Sequence, residues 1–253
     1  MAITRRDFLR DSLMAAGVLA AGAALAEDRQ PVAIVWSEGT APKKLYPNDI
    51  DGAIADGLKT LQRWTVKIAS LNDPDQGISD AALDAADVII WWGHAKHASV
   101  KEDRANAVVD RVKAGKLGFI GTHSAHHSKP FKKMMADNCD WTGGYREDGS
   151  KVDIKVKAPG HPIAAGIRDF VIPHTERYSE TFQAPAPADL VFDGLYTLPN
   201  GTTEPARQGM TWVVGKGRVF YFQPGHETYP IYYQEEVRQI FRNAVAWARP
   251  GQI

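Results

Sequence analysis

The sequence predicts an α/β protein built on a parallel sheet with helices on both faces. Short and nearly continuous apolar runs recur in its first half, as in VAIVW and DVIIWW, and such runs are typical of strands that are buried on both faces. Segments with helical spacing separate these runs, which favours parallel strands joined by crossover helices. With 253 residues and 44% hydrophobic side chains, the chain is long enough to form one large core.

The elements of the first half follow in order along the chain. We expect strands at 32–36, 66–71, 87–92 and 117–122. We expect helices between them at 52–64, 79–86 and 100–114. Ser79 is a plausible N-cap for the second helix, because its hydroxyl can accept a hydrogen bond from a free backbone N–H of the first turn.

From residue 151 onward the pattern changes to strand-like segments separated by turns. We expect strands at 152–157 and 189–195 and a hairpin formed by 211–214 and 218–222. A closing helix over 234–248 repeats its apolar residues along one stripe that faces the core. The second half is therefore predicted to extend the same domain with a β-hairpin. The segment 137–150 is expected to be either a lid or an interface loop.

The N-terminal residues 1–26 have the pattern of an export signal. Arg5 and Arg6 precede an apolar run at 13–25, and Ala-Leu-Ala at 24–26 forms a small-x-small cleavage site. Paired arginines before such a run resemble a twin-arginine signal peptide. This predicts a single mature domain over 27–253, in the periplasm or secreted, with no membrane association after cleavage. An uncleaved N-terminal anchor is the alternative.

Charge and cysteine content exclude several classes of protein. The 30 basic and 30 acidic side chains give a formal net charge of zero, so the chain lacks the basic surplus that nucleic-acid binding requires. The one cysteine, Cys139, excludes an intrachain disulfide and a thiolate-only metal cluster. Self-association into a homo-oligomer is left open by the composition.

Histidines follow three of the predicted strands directly, in WWGHAKH, THSAHHSKPFK and PGHETYP. Because ligands of open α/β sheets bind beyond the carboxyl ends of the strands, we expect these segments to meet at one rim. Imidazole and carboxylate are the usual ligands of zinc and similar divalent ions, so a zinc site is one interpretation. The alternative is that each histidine only caps a helix or forms a hydrogen bond at a strand end.

Aromatic side chains occur in the same segments and suit a carbohydrate ligand. Rings stack on the C–H faces of a sugar while polar groups bind its hydroxyls. We expect Trp92, Tyr178 and Tyr229 to contribute in this way. Trp91 and Trp92 are neighbours on a strand and must face opposite sides, so one of them is expected in the core.

At this level of detail the sequence resembles the ThuA-like, or trehalose-utilisation, family. The matching segments are YPNDIDGAIADGL, VIIWWGHAKH, THSAHHSKPFK, APGHPIAAGI, IPHTERYSETF and the long C-terminal stretch over 215–248. The resemblance implies a flavodoxin-like fold related to class I glutamine amidotransferases. It also implies a role in carbohydrate catabolism, with a 3-keto-sugar as substrate, because members of the family accompany sugar dehydrogenases.

The resemblance also implies site residues. The family's pattern falls on Glu38, His94, His123, Ser124, His126, Ser128, Lys129, Glu176, Tyr178, His226 and Glu227. This pattern, together with the preference of divalent ions for imidazole ligands, leads us to expect that His94, His126 and His226 bind the metal ion. We expect catalytic roles for Glu227, Glu176, His123 and Lys129. We expect substrate contacts from Trp92, Ser128, Tyr178 and Tyr229.

Two departures from the family's pattern bear on the metal site. Asp51 stands where a histidine is frequent, and the segment after Glu38 lacks the histidine that many members carry. If either missing histidine were a ligand, metal binding in this chain would be weakened or altered.

The mechanism that we expect is metal-assisted isomerisation of a 3-keto-glycoside, such as 3-keto-trehalose, through an enediolate. The metal ion would act as a Lewis acid, Glu227 or Glu176 would move the proton, and Lys129 or Tyr178 would donate to the second oxygen. His123 would orient one of the metal ligands. The alternatives are a sugar-binding module without chemistry and a metal-dependent glycoside hydrolase.

Overall fold

The protein is described by a computed structural model over residues 29–251. The predicted twin-arginine signal over 1–26 lies outside the described residues and stays a prediction. Among the helices of the described part, none has both the length and the apolar character needed to cross a bilayer.

The strands of the described chain, from residue 32 onward, form one mixed sheet. Its nine strands are β1 (Val32–Ser37), β2 (Thr65–Ser70), β3 (Val88–Trp92), β4 (Gly118–Thr122), β5 (Tyr145–Val156), β6 (Phe170–Tyr178), β7 (Asp189–Thr197), β8 (Thr203–Val214) and β9 (Gly217–Phe222). The order across the sheet is β2-β1-β3-β4-β9-β8-β7-β5-β6. The first five of these are parallel, and the pairs from β9 to β6 are antiparallel.

Helices cover the parallel half on both faces, as the sequence predicts. They are α1 (Asp49–Leu58), α2 (Asp80–Ala85), α3 (Glu102–Lys113), α4 (Lys129–Met135) and α5 (Glu235–Ala248). Helices α1 and α5 pack on the face that holds Trp92, and α3 and α4 pack on the face that holds Trp91. Both tryptophans are fully buried, one in each of the two core layers.

Several local predictions are confirmed. The Ser79 hydroxyl caps α2 by accepting a hydrogen bond from the Ala82 N–H at 3.2 Å. Strands β8 and β9 form the predicted hairpin, with Val214 paired to Gly217. The turn between them places Gly215 at φ 62°, in the left-handed region that glycine adopts without strain.

Helix α1 differs from its prediction. It begins three residues earlier than expected and ends at Leu58 rather than Trp64. Arg63 has φ 66°, which a right-handed helix cannot contain. Leu61 and Trp64 still pack against the core from an irregular segment, so their apolar character was mistaken for helical periodicity.

The antiparallel half is larger than the expected hairpin. Strand β5 begins at Tyr145, within the segment that we expected to be a lid or an interface loop, and β6 was not predicted. Strand β6 lies at the edge of the sheet, where Pro173 and several charged side chains are tolerated. Its sequence therefore lacks the continuous apolar run that revealed the central strands.

Candidate functional site

Four side chains converge where three parallel strands end. His94 lies two residues after β3, His123 follows β4 directly, and His226 lies four residues after β9. One possible ligand atom from each of these histidines and from Glu227 lies within 4.8 Å of the others. We call these four residues the histidine cluster. The strand order brings them together, because β3, β4 and β9 are neighbours that run in the same direction.

The backbone at the end of β4 and β9 has unusual conformations. His123 has φ 54°, a left-handed conformation that costs a non-glycine residue roughly 1–2 kcal/mol. Gly225 has φ 144°, and a Cβ atom there would lie 2.1 Å from the Tyr232 hydroxyl and 3.2 Å from Cβ of His123. Both features bring the two loops close together at the cluster.

Each of the three histidine rings has one nitrogen held by a neighbouring side chain. The Nδ1 atom of His94 lies 2.9 Å from the Ser124 hydroxyl. The Nε2 atom of His123 lies 3.1 Å from a carboxylate oxygen of Glu176. The Nδ1 atom of His226 lies 2.7 Å from the Thr228 hydroxyl. The Nε2 atoms of His94 and His226 face the carboxylate of Glu227, at 3.6 and 3.8 Å.

A second layer of polar groups supports these contacts. The Ser124 hydroxyl is hydrogen bonded to that of Tyr178 at 2.7 Å. The Thr228 hydroxyl donates to the carboxylate of Glu147 at 2.6 Å. Its oxygen and the Thr228 backbone N–H both lie within hydrogen-bond distance of His226 Nδ1, at 2.7 and 3.3 Å. Metal-binding histidines show this arrangement, in which a hydroxyl or carboxylate fixes one ring nitrogen and leaves the other to bind the ion.

Electrostatics favours neutral histidines in the cluster. Burial lowers the pKa of His123, although the neighbouring Glu176 opposes this. Burial also lowers the pKa of His226, and the adjacent His123 adds to the effect. Burial alone would raise the pKa of Glu176, but its hydrogen bond and charge interaction with His123 prevail and lower it. Neutral imidazole is the form that binds a metal ion.

The donor set fits a borderline divalent ion such as zinc. Catalytic zinc sites use three protein ligands of these types and leave a fourth position open for water or substrate, so three of the four clustered residues would suffice. The Nδ1 atom of His123 and the Oε2 atom of Glu227 are buried without a hydrogen-bond partner in the described chain, so a ligand there would satisfy them. Zinc bonds of about 2.1 Å separate tetrahedral ligands by about 3.4 Å, so the cluster would contract slightly on binding.

A cavity of about 390 Å³ opens beside the cluster. This volume lies within the usual range of small-ligand pockets, about 300–1,000 Å³. It is bordered by His94, Ser124, His127, Tyr145, Glu147, Glu176, Tyr178 and His226. Among the described residues, the charged side chains on this border are the carboxylates of Glu147 and Glu176.

Comparison with known proteins establishes the family. The family model for ThuA, described as trehalose utilisation, matches residues 32–248. The chain belongs to the ThuA family. Among curated proteins, none matches this sequence.

Solved structures share the fold of this ThuA-family chain. A protein from Parabacteroides merdae described as ThuA-like is 14% identical, with a TM-score of 0.62, over 89% of this chain and 93% of the other. A second ThuA-like protein, from Bacteroides uniformis, is 16% identical, with a TM-score of 0.60, over 87% and 91%. The PurLQS structure from Thermotoga maritima is 14% identical, with a TM-score of 0.52, over 86% and 99%. The expected glutamine amidotransferase-like α/β fold is confirmed.

His126 lies outside the cluster of this ThuA-family chain. Its ring is fully buried, and its Nδ1 atom lies 2.9 Å from the backbone oxygen of His123 and 3.0 Å from the Tyr221 hydroxyl. The 3-10 turn over His123–His127 directs residues 123 and 126 to different surroundings. The geometry therefore favours His123 as the ligand from this segment, in the place that the sequence analysis gave to His126.

Three expected site residues belong neither to the histidine cluster nor to the border of the cavity. Lys129 donates from Nζ to the backbone oxygens of Ala98 and Val100. Ser128 caps α4 by accepting a hydrogen bond from a backbone N–H of its first turn. Trp92 is fully buried and donates to the backbone oxygen of Gly225 at 3.1 Å. These contacts give all three a structural role in this ThuA-family fold.

Glu176 and Tyr178 border the cavity as expected, and the Tyr229 ring lies 6.1 Å from that of His226. Sequence reasoning missed Tyr145 and Glu147. They reach the cavity from the first residues of β5, and nothing in the local sequence distinguishes Glu147 from the adjacent Asp148.

The two departures from the family's pattern leave the cluster intact. Asp51 is buried and accepts a hydrogen bond from the Ser37 hydroxyl at 2.9 Å. Neither Asp51 nor the segment after Glu38 supplies one of the four clustered residues. The ThuA cluster of this chain is thus assembled without either missing histidine.

Proposed function

We propose that the chain is a metal-dependent enzyme of carbohydrate catabolism that isomerises a 3-keto-glycoside such as 3-keto-trehalose. The observation that carries this proposal is the convergence of three histidines with Glu227, beside a cavity that Glu147 and Glu176 border. A neighbouring side chain holds one nitrogen of each of the three rings. Membership of a family described as trehalose utilisation supports a sugar substrate.

His94, His123, His226 and Glu227 would hold the ion. A divalent ion in that position would supply a Lewis acid for adjacent oxygens of the sugar. The three polar anchors Ser124, Glu176 and Thr228 fix the orientation of the rings before binding, which reduces the reorganisation that binding requires.

Glu176 is the group on this border best suited to move a proton. Its lowered pKa keeps it ionised at neutral pH, so it can act as a base. It would take the proton from carbon 2 of the sugar. The electrons of that C–H bond form a double bond to carbon 3, and the π electrons of the carbon-3 carbonyl move onto oxygen 3. The same carboxylic acid would then return the proton to carbon 3 while the hydroxyl proton passes from oxygen 2 to oxygen 3. The product is the 2-keto isomer, so no oxidant or reductant is needed.

Tyr178 would bind an oxygen of the substrate during this transfer. Burial raises its pKa well above the usual value, so its hydroxyl stays protonated and can donate a hydrogen bond. Tyr145 borders the cavity and the Tyr229 ring lies close to that of His226, so both would offer ring faces to the sugar. The Lys129 ammonium group donates hydrogen bonds to the backbone oxygens of Ala98 and Val100. Of the two donors that the sequence suggests, Tyr178 is therefore favoured.

The twin-arginine pattern over 1–26 supports the periplasm as the place of this activity. The folded state would then form in the cytoplasm, and the metal ion would be taken up there before export.

The test combines metal analysis with isotope exchange. Purified protein is expected to contain about one equivalent of zinc or a similar ion and to exchange the carbon-2 hydrogen of 3-keto-trehalose in heavy water. The Glu176→Gln variant, which keeps the shape but not the base, should lose exchange when compared at equal metal content, because Glu176 also anchors His123. Binding without exchange or product would indicate a sugar-binding module instead, and release of free monosaccharide would indicate a glycoside hydrolase.

A further inference from the structure

Glu38 lies at the end of β1, beside the loop that carries His94. Strands β1 and β3 are parallel neighbours, with Trp36 paired to Trp91. Continuing this register by two residues places Glu38 level with Gly93, at the point where the chain leaves β3. The carboxylate is fully buried, and the residue does not border the cavity.

One oxygen of the Glu38 carboxylate accepts hydrogen bonds from three successive backbone N–H groups. Oε2 of Glu38 accepts hydrogen bonds from His94 at 3.0 Å, from Ala95 at 2.8 Å and from Lys96 at 2.8 Å. A run of N–H groups pointing inward forms a concave site for an anion. Hydrogen bonds to an ionised acceptor are roughly twice as strong as those between neutral groups. The loop is therefore folded around the carboxylate of Glu38.

The other oxygen explains why a glycine precedes His94. A Cβ atom on Gly93 would lie 2.9 Å from Oε1 of Glu38, closer than side-chain atoms normally approach. Oε1 also lies 3.6 Å from Nδ1 of His97 on the far side of the loop. Residues 93–97 thus surround the carboxylate of Glu38. A shift of this carboxylate would therefore change the backbone conformation at His94.

We propose that Glu38 is a positioning residue of the metal site, which holds His94 in the histidine cluster through the backbone of its loop. This inference rests on the proposed function, since it assigns Glu38 to the same metal site. A neutral side chain at 38 would weaken the hydrogen bonds to the three N–H groups, and a shortened one would release them. Either change would let the His94 ring leave the cluster.

The experiment measures Co²⁺ and Zn²⁺ binding to metal-free full-length protein. The Glu38→Gln variant keeps an acceptor oxygen but loses the charge, and it is expected to bind Co²⁺ about 10–100-fold more weakly. The visible absorption of bound Co²⁺ should change as well, because it reports the ligand geometry. The control is Asp51→Asn, which removes a buried carboxylate of the same region that accepts from Ser37 and not from the loop. Its affinity should stay within about twofold of the original.

Gly93→Ala is the second variant, since Glu38→Gln can also impair folding. It keeps the carboxylate but displaces it, and it should weaken Co²⁺ binding in the same way. If the unchanged protein binds no metal, the proposed function fails. If it binds metal and the folded variants bind equally well with the same spectrum, only the role of Glu38 is overturned. A loss of thermal stability with unchanged affinity would show a purely structural role and would also overturn it.

Discussion

The side chains of His123 and Glu176 meet at 3.1 Å although their strands lie far apart in the sheet. His123 follows β4, and Glu176 belongs to β6, five positions further along the order β4-β9-β8-β7-β5-β6. In a flat sheet such strands would be about 24 Å apart, at about 4.8 Å for each step. The antiparallel half must therefore curl over the carboxyl ends of the parallel strands. The site lies between the two halves, with ligands from one and acidic groups from the other.

The first prediction separates His123 from His126. Replacing His123 with glutamine should reduce zinc affinity by more than about 100-fold, because the ring belongs to the cluster. Replacing His126 with glutamine should leave metal content unchanged and lower the melting temperature, because that ring is buried against Tyr221. Elemental analysis and thermal unfolding of both variants test this. Loss of metal only in the His126 variant would restore the ligand set expected from sequence.

The sequence could predict that histidines meet at one rim, because each segment follows an apolar run that is recognisable as a strand. It could not predict which residue of THSAHHSKPFK faces the cluster. That choice depends on the left-handed backbone at His123, and a histidine there carries no signal of it. Glu147 could not be found either, since its position depends on how far the antiparallel half curls, which long-range packing determines.

The second prediction concerns the anchor of His226. Thr228→Val keeps the size of the side chain but removes the hydroxyl that links His226 to Glu147. Metal affinity should fall about tenfold, as is usual when a group that orients a ligand is lost. Thr202→Val is a matched control, because the Thr202 hydroxyl bonds only to nearby Asn200 in an exposed turn. Calorimetric titration with zinc measures both, and equal affinities in the two variants would refute the anchoring role.

The third prediction concerns acid stability. Burial lowers the pKa of His97 from 6.5 to about 4, with smaller contributions from neighbouring histidines and Lys132. Because the folded state binds this proton less readily than the unfolded state, the stabilisation is complete above about pH 6.5. It is lost as the pH falls towards 4. Between pH 7.5 and 5 the free energy of unfolding should fall by about 2 kcal/mol from this residue alone.

Denaturant unfolding of metal-free protein at several pH values measures this dependence. His97→Asn should show a clearly shallower loss of stability between pH 7.5 and 5, since the titrating ring is gone. The slope will not vanish, because burial also lowers the pKa values of His126 and His127. Identical slopes in the variant and the original protein would contradict the assignment.

The fourth prediction tests the close approach of the loops after β4 and β9. Gly225→Ala adds a Cβ atom that would lie 2.1 Å from the Tyr232 hydroxyl, in a backbone conformation that already disfavours a side chain. The steric overlap and the backbone strain both destabilise the folded state, so the free energy of unfolding should fall by about 3 kcal/mol or more. Gly201→Ala is the control, since Gly201 has φ 82° but open space around it. It should cost only about 1–2 kcal/mol of backbone strain.

The two variants should also differ in metal binding. Relief of the overlap requires Tyr232 or the loop that carries His226 to shift, and the added Cβ atom also lies 3.2 Å from Cβ of His123. The metal affinity of Gly225→Ala should therefore fall together with its stability. In Gly201→Ala the affinity should be unchanged, because the strain lies in the turn between β7 and β8. Comparing melting temperature with zinc affinity in the same preparations decides the point. A destabilised Gly225→Ala that binds zinc normally would show that the cluster does not depend on this contact between the loops.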